Sequence, residues 1–460
     1  MRENRLAWRL AAGLAITSVV LTGCRGSDSD GAPDPDPAGT SEGTGTSTGD
    51  ATDDATGDAE MATDSGVSEE PCPEAVNEDN GCIYLGTISD LTVGPFAPLA
   101  VPITESQAAF WQRVNDDGGI GGYDIDVTTY VADNLYQPEV HNQVYQEMKD
   151  EILAMAQTLG SPTTATILPD LEASNILAAP AAWTSEYAFT DVIIESGGSY
   201  CVEAMNAIDY AVEELDVQTV MAVHYPGDYG GDAAAGAKLA ADANGLDFTD
   251  VETGQGQENQ AGAIDAIVSA NPDVVMVTAG PADVAAIVGQ SAARGYQGTF
   301  IGSGPTWNPA LLQSPAAPAL EAMYLHVGPW ASFDAETAGH QAMREALGDV
   351  QANDGYTSGW VWGYPLKAAI EAAAENGDLT RAGLVEAVQS LESVDYEGML
   401  PEGAGNFAGE PDEQVVRSST LSKPSAESAA GLEMVSDFFE GPTVTEHTFE
   451  GSCFATVDLG

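Results

Sequence analysis

The sequence predicts an α/β protein built on parallel sheet, and three observations along residues 83–133 predict it. The apolar run Ile83-Tyr-Leu-Gly-Thr-Ile88 is too short for a helix and rich in strand formers. After a Gly/Pro-punctuated loop, Ile103, Ala108, Phe110, Trp111 and Val114 fall on one broad face of a helix-length segment. Asn115-Asp-Asp-Gly-Gly-Ile-Gly-Gly122 ends that helix, because these residues accept turn and left-handed conformations that a β-carbon resists. The alternating stretch Ile125–Tyr130 is then the next strand. Strand, helix, strand is a βαβ unit, whose ligand-facing edge lies at the carboxyl ends of its strands.

Ahead of this unit, Arg2, Arg5 and Arg9 form a positive head and Leu10–Leu21 an apolar stretch. That stretch is shorter than the ~20 residues that span a bilayer. Leu21-Thr-Gly-Cys24 matches the bacterial lipobox, so residues 1–24 are expected to be a lipoprotein signal peptide and Cys24 the lipidated residue. More than one acyl chain on that cysteine makes a stable anchor. Residues 25–71 are Gly, Ser, Thr, Asp, Ala and Pro with almost no aliphatic mass, the composition of a disordered acidic tether. Such a chain reaches on the order of 40 Å.

The body that follows is long enough for two lobes of ordinary size. The whole chain is 43% hydrophobic and carries 13 Lys+Arg against 72 Asp+Glu, a net charge of -59. That field repels nucleic acid and anionic lipid and excludes both as partners. Cys72, Cys82, Cys201 and Cys453 form an even set in an oxidising setting. Of the three pairings open to them, we favour Cys72 with Cys82, closing a short loop, and Cys201 with Cys453, tying down the C-terminal tail. There is no C-x-x-C, and His141, His224, His326, His340 and His447 are scattered, so no metal is expected. No cofactor is expected either. The chain lacks a G-x-S-x-G elbow, an H-E-x-x-H pair, Walker glycines and a dinucleotide G-x-G-x-x-G, which argues against an enzyme.

The βα alternation continues to the end. Helices are expected over 137–150, 199–215, 233–243, 337–347, 357–374 and 382–390, with another from residue 282. Strands are expected over 152–155, 175–178, 192–194, 219–223, 273–278 and 323–327. Loops fall at 157–164 and 179–187.

Asn115-x-x-Gly118-Gly119-Ile120-x-Gly122 resembles the N-x-x-G-G-I-x-G signature of type I periplasmic binding proteins, in particular the branched-chain amino-acid receptors of ABC transporters. Asp228-Tyr229-Gly230 resembles the family's aromatic loop, Tyr356–Ala372 its late helix and Tyr396–Leu400 its last crossover. The resemblance implies two Rossmann-like lobes joined by a three-strand hinge: residues 82–187 with 328–398, and residues 188–327 with 399–460. It also implies a solute held between the lobes and delivered to an ABC permease. Ser161, Thr163, Ala182 (by its amide) and Thr184 match positions that clamp a ligand carboxylate, and Tyr229 the aromatic that closes over it. A loop entering a helix N-terminus suits an anion, although N-capping alone also explains Ser161 and Thr163.

Two positions depart from the pattern. Gly304 stands where amino-acid receptors place the carboxylate that pairs the ligand's ammonium, and Gly280 stands where an aromatic is common. A buried ammonium without a partner is costly, so an α-amino acid does not follow. The expected ligand is a small polar solute: an amino acid, an amide, a urea-like compound or a small carboxylate. The expected protein is a monomeric, lipid-anchored, extracytoplasmic solute receptor. The alternative is a sensing domain that acts through a separate membrane partner.

Overall fold

The computed structural model describes residues 61–460; the signal segment, Cys24 and residues 25–60 lie outside the described residues. Two sheets carry the fold. Its first elements come from the stretch expected to be disordered: β1 (Ala62–Thr63) and β2 (Val67–Ser68). β2 pairs antiparallel with the start of β3 (Gly81–Ser89), Val67 opposite Ile83. Residues 61–71 of the expected tether are therefore part of the folded body. Met61 and Val67 pack against the core, and the Cys72–Cys82 disulfide holds the segment beside β3.

β3 is buried along almost its whole length. β4 (Tyr123–Asp133) and β5 (Ala154–Leu159) flank it in parallel, and β6 (Ala178–Ala181) lies beyond β5. Between β3 and β4 runs the Ala97–Asp116 helix, which buries Leu99, Ile103, Phe110, Trp111 and Val114, the face the sequence marks. Its end shows what the Asn/Gly signature does physically. Asn115 Oδ1 accepts from Ile125 N at 2.8 Å and its Nδ2 donates to Ile125 O at 2.9 Å, so one amide clamps the helix end to β4. Gly119 takes φ +75 and donates its N–H to Val114 O. Nearby, Asp124 accepts from Val76 N, Asn77 N, Asn77 Nδ2 and Asn80 Nδ2. Burial raises its pKa, but these donors outweigh burial and hold the carboxyl below its ordinary range.

After β6 the chain crosses to a seven-stranded sheet. Here β7 (Thr219–His224), β8 (Asp247–Glu252), β9 (Val274–Thr278), β10 (Thr299–Gly302) and β11 (Tyr324–Gly328) run parallel in the order β11-β10-β9-β7-β8. It then returns to the first lobe, where helices Asp354–Val361 and Gly363–Glu375 bring Trp360 and Tyr364 onto Phe110, with centroids 5.2 and 5.0 Å apart. β12 (Asp378–Leu379) receives β1 in parallel. A third crossing leads to β13 (Ser419–Pro424) and β14 (Leu432–Phe439), antiparallel additions beside β11. Three crossings between two α/β lobes make the hinge. The Cys201–Cys453 disulfide ties the C-terminal tail to the Tyr200–Leu215 helix.

Some boundaries differ from expectation. β6 occupies the start of the expected 179–187 loop; Ala-Ala-Pro-Ala carries no β-branched residue to announce a strand. The expected strand at 192–194 is a single bridge from Ile193 to Ala178. The helix after β7 begins at Asp228, which puts Tyr229 in its first turn rather than in a preceding loop. The expected 357–374 helix is two, divided at Trp362.

Gly118 and Gly119 separate strain from collision. A Cβ on Gly118 (φ +110) meets nothing, whereas one on Gly119 stands 2.2 Å from Tyr123 O. In urea denaturation, Gly118→Ala is expected to cost about 1 kcal/mol from strain alone. Gly119→Ala is expected to cost about 3 kcal/mol.

Candidate functional site

The carboxyl ends of β5, β6, β10 and β11 converge on one cavity of about 860 Å³, counted out to its open mouth. Gly160 turns the chain after β5 at φ +95 and delivers Ser161 to the cavity wall. After β6, Ala181 and Trp183 face inward. Tyr229, in the first turn of its helix, points its ring at Phe96 and Tyr200 and shares a hydrogen bond with Ser303 Oγ at 3.3 Å. The 303–306 loop after β10 brings Gly304. The second crossing adds Gly328–Ser332, and the first lobe's late helices add Asp354, Ser358 and Trp362.

The wall is aromatic without a break. Ring centroids step from Tyr136 to Phe96 (4.8 Å), Phe96 to Tyr229 (5.8 Å), Tyr229 to Tyr200 (4.8 Å) and Tyr200 to Trp183 (5.0 Å). From Trp183 they continue to Trp330 (5.3 Å) and Trp362 (5.8 Å). Leu99, Ile103, Leu159 and Leu432 fill between. Ser161 Oγ and Trp362 Nε1, on two lining residues, have no hydrogen-bond partner in the protein. Lining His326 is held neutral, its pKa lowered to about 3 by burial. No Lys or Arg lines the cavity.

Of the residues the sequence singles out, Ser161, Tyr229 and Gly304 meet here. Thr163, Ala182, Thr184 and Gly280 stand behind the wall. Thr163 Oγ1 bonds back to the carbonyls of Leu159 and Gly160, so it serves its own turn. Ala182 and Thr184 flank Trp183, which with Ala181 forms the surface at that loop, and both are buried. A Cβ on Gly280 would stand 3.0 Å from Tyr225 Oη and 3.3 Å from Pro95 Cβ, so its smallness serves packing. The sequence reading passed over several other lining residues, Trp330 and Asp354 among them. Trp362 sits in a segment whose aromatics read as core; Trp360 is core, but Trp362 is wall.

The Gly304 anomaly has a structural cause. A Cβ there would stand 2.5 Å from Trp183 Cζ2, so the indole occupies the space a larger side chain would need. Behind it, Glu203 accepts from Trp183 Nε1 at 2.8 Å and from Gly304 N at 3.2 Å. The carboxyl is present, but it comes from another helix and its indole partner lies on the cavity wall.

A family model described as periplasmic binding protein matches residues 83–429. The chain belongs to the periplasmic binding protein family. Members are extracytoplasmic, bind small molecules and work with ABC permeases; they are not enzymes. Among curated proteins, none matches. Among solved structures, this periplasmic binding protein is similar to a fatty acid ABC transporter substrate-binding protein from Thermomonospora curvata. The identity is 26% and the TM-score 0.77, covering 84% of this chain and 97% of that one. A branched-chain amino-acid ABC transporter protein from Thermus thermophilus with bound valine shares the fold at 18% identity and TM-score 0.68, covering 79% and 98%. So does an ABC transporter substrate-binding protein from Aeropyrum pernix, at 17% identity and TM-score 0.70, covering 81% and 98%. No helix among the described residues is long and apolar enough to cross a membrane.

Beside the cavity of this periplasmic binding protein lie two acids, Asp232 buried and Asp228 partly exposed. Asp232 accepts from Ser185 N at 3.0 Å, Cys201 N at 3.1 Å and Ser185 Oγ, joining the first crossing to the disulfide-bearing helix. Burial raises its pKa to about 6 despite these donors. Asp228 is raised to about 7, by burial first and by Asp232 second. A carboxyl whose folded pKa exceeds its unfolded value of ~3.9 adds stability below that value and loses it as pH rises through the folded pKa. Asp228→Asn is therefore expected to raise Tm by a few degrees at pH 8, where the native carboxylate is ionised, and to leave it unchanged near pH 4. Equal shifts at both pH values would contradict the assignment.

Proposed function

We propose that this protein is the solute receptor of an ABC importer and that its solute is predominantly apolar. It works as a monomer, held to the membrane by lipid on Cys24 after the leader is removed, and hands its solute to a permease. The observation that carries the ligand class is the aromatic wall around Trp183. Where the family's amino-acid receptors are expected to present a carboxylate, this chain presents an indole face. A lining dominated by rings and aliphatic side chains also gives a urea-like solute or small carboxylate few polar partners. This revises the expectation of a small polar ligand. The Thermomonospora curvata protein, named for fatty acid transport, agrees with an apolar guest.

Contacts across the cleft support closure around such a guest. Phe96 from the first lobe meets Tyr229 from the second, and Asn308 Nδ2 donates to Pro98 O at 3.2 Å. A ligand touching Trp183 and Tyr229 together favours the closed arrangement by its differential affinity for it.

The test is a homologous series of straight-chain amphiphiles read by tryptophan fluorescence, since Trp183, Trp307, Trp330 and Trp362 all line the cavity. Each added methylene is expected to tighten binding by ~0.8 kcal/mol until the cavity is full. Trp183→Ala is expected to weaken binding by about 2 kcal/mol, the scale of a buried aromatic anchor. Affinity independent of chain length, or valine binding more tightly than every chain, would contradict the reading. Separately, Cys24→Ala is expected to move the protein from the membrane to the soluble fraction, checked by fractionation; retention on membranes would exclude the lipid anchor.

A further inference from the structure

The apolar reading leaves open what holds the polar end of the guest. We propose that Asp354 is that anchor and that it selects a hydrogen-bond donor (an ammonium, an amide N–H or a hydroxyl) over a carboxylate. The inference rests on the reading of the cavity as the binding site.

Asp354 supplies the one carboxyl among the lining residues. Its Oδ1 accepts from Phe333 N at 2.8 Å, which fixes the side chain's orientation. Its Oδ2 accepts nothing from the described residues, so it is a free acceptor in a wall otherwise made of rings, aliphatics and neutral hydroxyls. Burial, reinforced by Asp334, pushes this carboxyl up to about 7. An acid in that state has no internal cation to satisfy it and gains from a donor brought by the guest.

Among the described residues, no cation is available to receive a carboxylate head. Arg113 is paired with Glu397, Lys149 with Asp170, Lys238 with Asp242, Arg294 with Asp265, and Lys367 with Glu371. Arg417 is paired with Asp412 and Lys423 with Glu433, while Arg381 donates to the carbonyls of Lys149 and Ile152. Arg344, on the helix packed behind the Phe333 loop, donates to Phe333 O and Ala335 O and pairs with Glu336. The remaining titratable groups on elements packed around Asp354 are acidic or neutral. Glu105 is bonded to Tyr356 Oη, His340 to Ala331 O, and His326 is held uncharged by burial. A carboxylate entering here would meet Asp354 and Asp334 with only neutral donors, such as Trp362 Nε1, to receive it.

The experiment titrates octylammonium, octanamide and octanoate into the protein and follows tryptophan fluorescence. The chains are matched, so the ranking isolates the head. On the unmodified protein, octylammonium and octanamide are expected to bind roughly tenfold or more tightly than octanoate. Octylammonium affinity is expected to rise as pH increases through about 7, because Asp354 ionises while the amine, with a pKa of ~10.4, stays charged. In Asp354→Asn, which keeps an oxygen for Phe333 N, that pH dependence is lost and the preference for octylammonium over octanoate collapses, with Tm unchanged near pH 4, where the native carboxyl is protonated. Octanoate binding as tightly as the other two would overturn the inference while leaving the apolar cavity intact. Binding of none of the three would overturn the cavity reading itself. The ranking on the unmodified protein needs no variant, so a poorly folding Asp354→Asn leaves the test decisive.

Discussion

The hydrogen bond from Trp183 Nε1 to Glu203 fixes what this cleft can hold. Glu203 is fully buried, its pKa raised well above the ordinary range by burial, and it accepts from two segments at once: the indole after β6 and the amide of Gly304 after β10. A buried carboxyl so engaged is costly to disturb. It holds Trp183 against Gly304, and Trp183 in turn gives Trp330, Trp362 and Tyr200 a ring to pack on. The three crossings between the lobes thus meet at one side chain's surroundings: Trp183 from the first, Trp330 from the second, and Thr420, just past the third, whose hydroxyl donates to Trp330 O at 2.8 Å.

A chain with a charge of -59 has few cations with which to neutralise its interior. The structure manages this in two ways. Where a carboxylate organises loops, as at Asp124, it is surrounded by amide donors that hold it ionised. At Asp228, Asp232 and Glu203 burial instead shifts the carboxyl toward the protonated form. Arginines serve chiefly as joints: Arg381 links carbonyls of the Lys149–Ile152 turn to the helix it begins, and Arg417 ties the third crossing to the C-terminal tail. None of the described arginines lines the cleft.

Much of the fold was legible because its signals are local. The Asn115–Gly122 turn announced a helix end through residues suited to that backbone, and the apolar run at Ile83 announced a strand. The disulfide pairs agreed with simple chain logic, Cys72 with Cys82 and Cys201 with Cys453. Less was legible where tertiary pairing overrides propensity. Ala178–Ala181 is a strand only because β5 is beside it, and β2 formed in a stretch whose composition argued for disorder because β3 offered an edge. The site was half legible. Ser161, Tyr229 and Gly304 follow from motif positions at strand ends. Trp330, Trp362 and Asp354 arrive from the second crossing and the late helices, and no local pattern separates a tryptophan in a wall from one in a core. Likewise the alternation of Ala181 and Trp183 with Ala182 and Thr184 put the hydroxyl on the far side of the loop.

The central claim is that an apolar guest fills the space enclosed by Trp183, Trp330, Trp362 and Tyr229. Apolar burial leaves a thermodynamic mark that polar recognition does not: a negative heat-capacity change that scales with the area removed from water. Calorimetric titration of one saturating amphiphile at several temperatures measures it directly. The account predicts a clearly negative heat-capacity change that becomes less negative in Trp183→Ala. A value near zero in the unmodified protein, with tight binding, would contradict it.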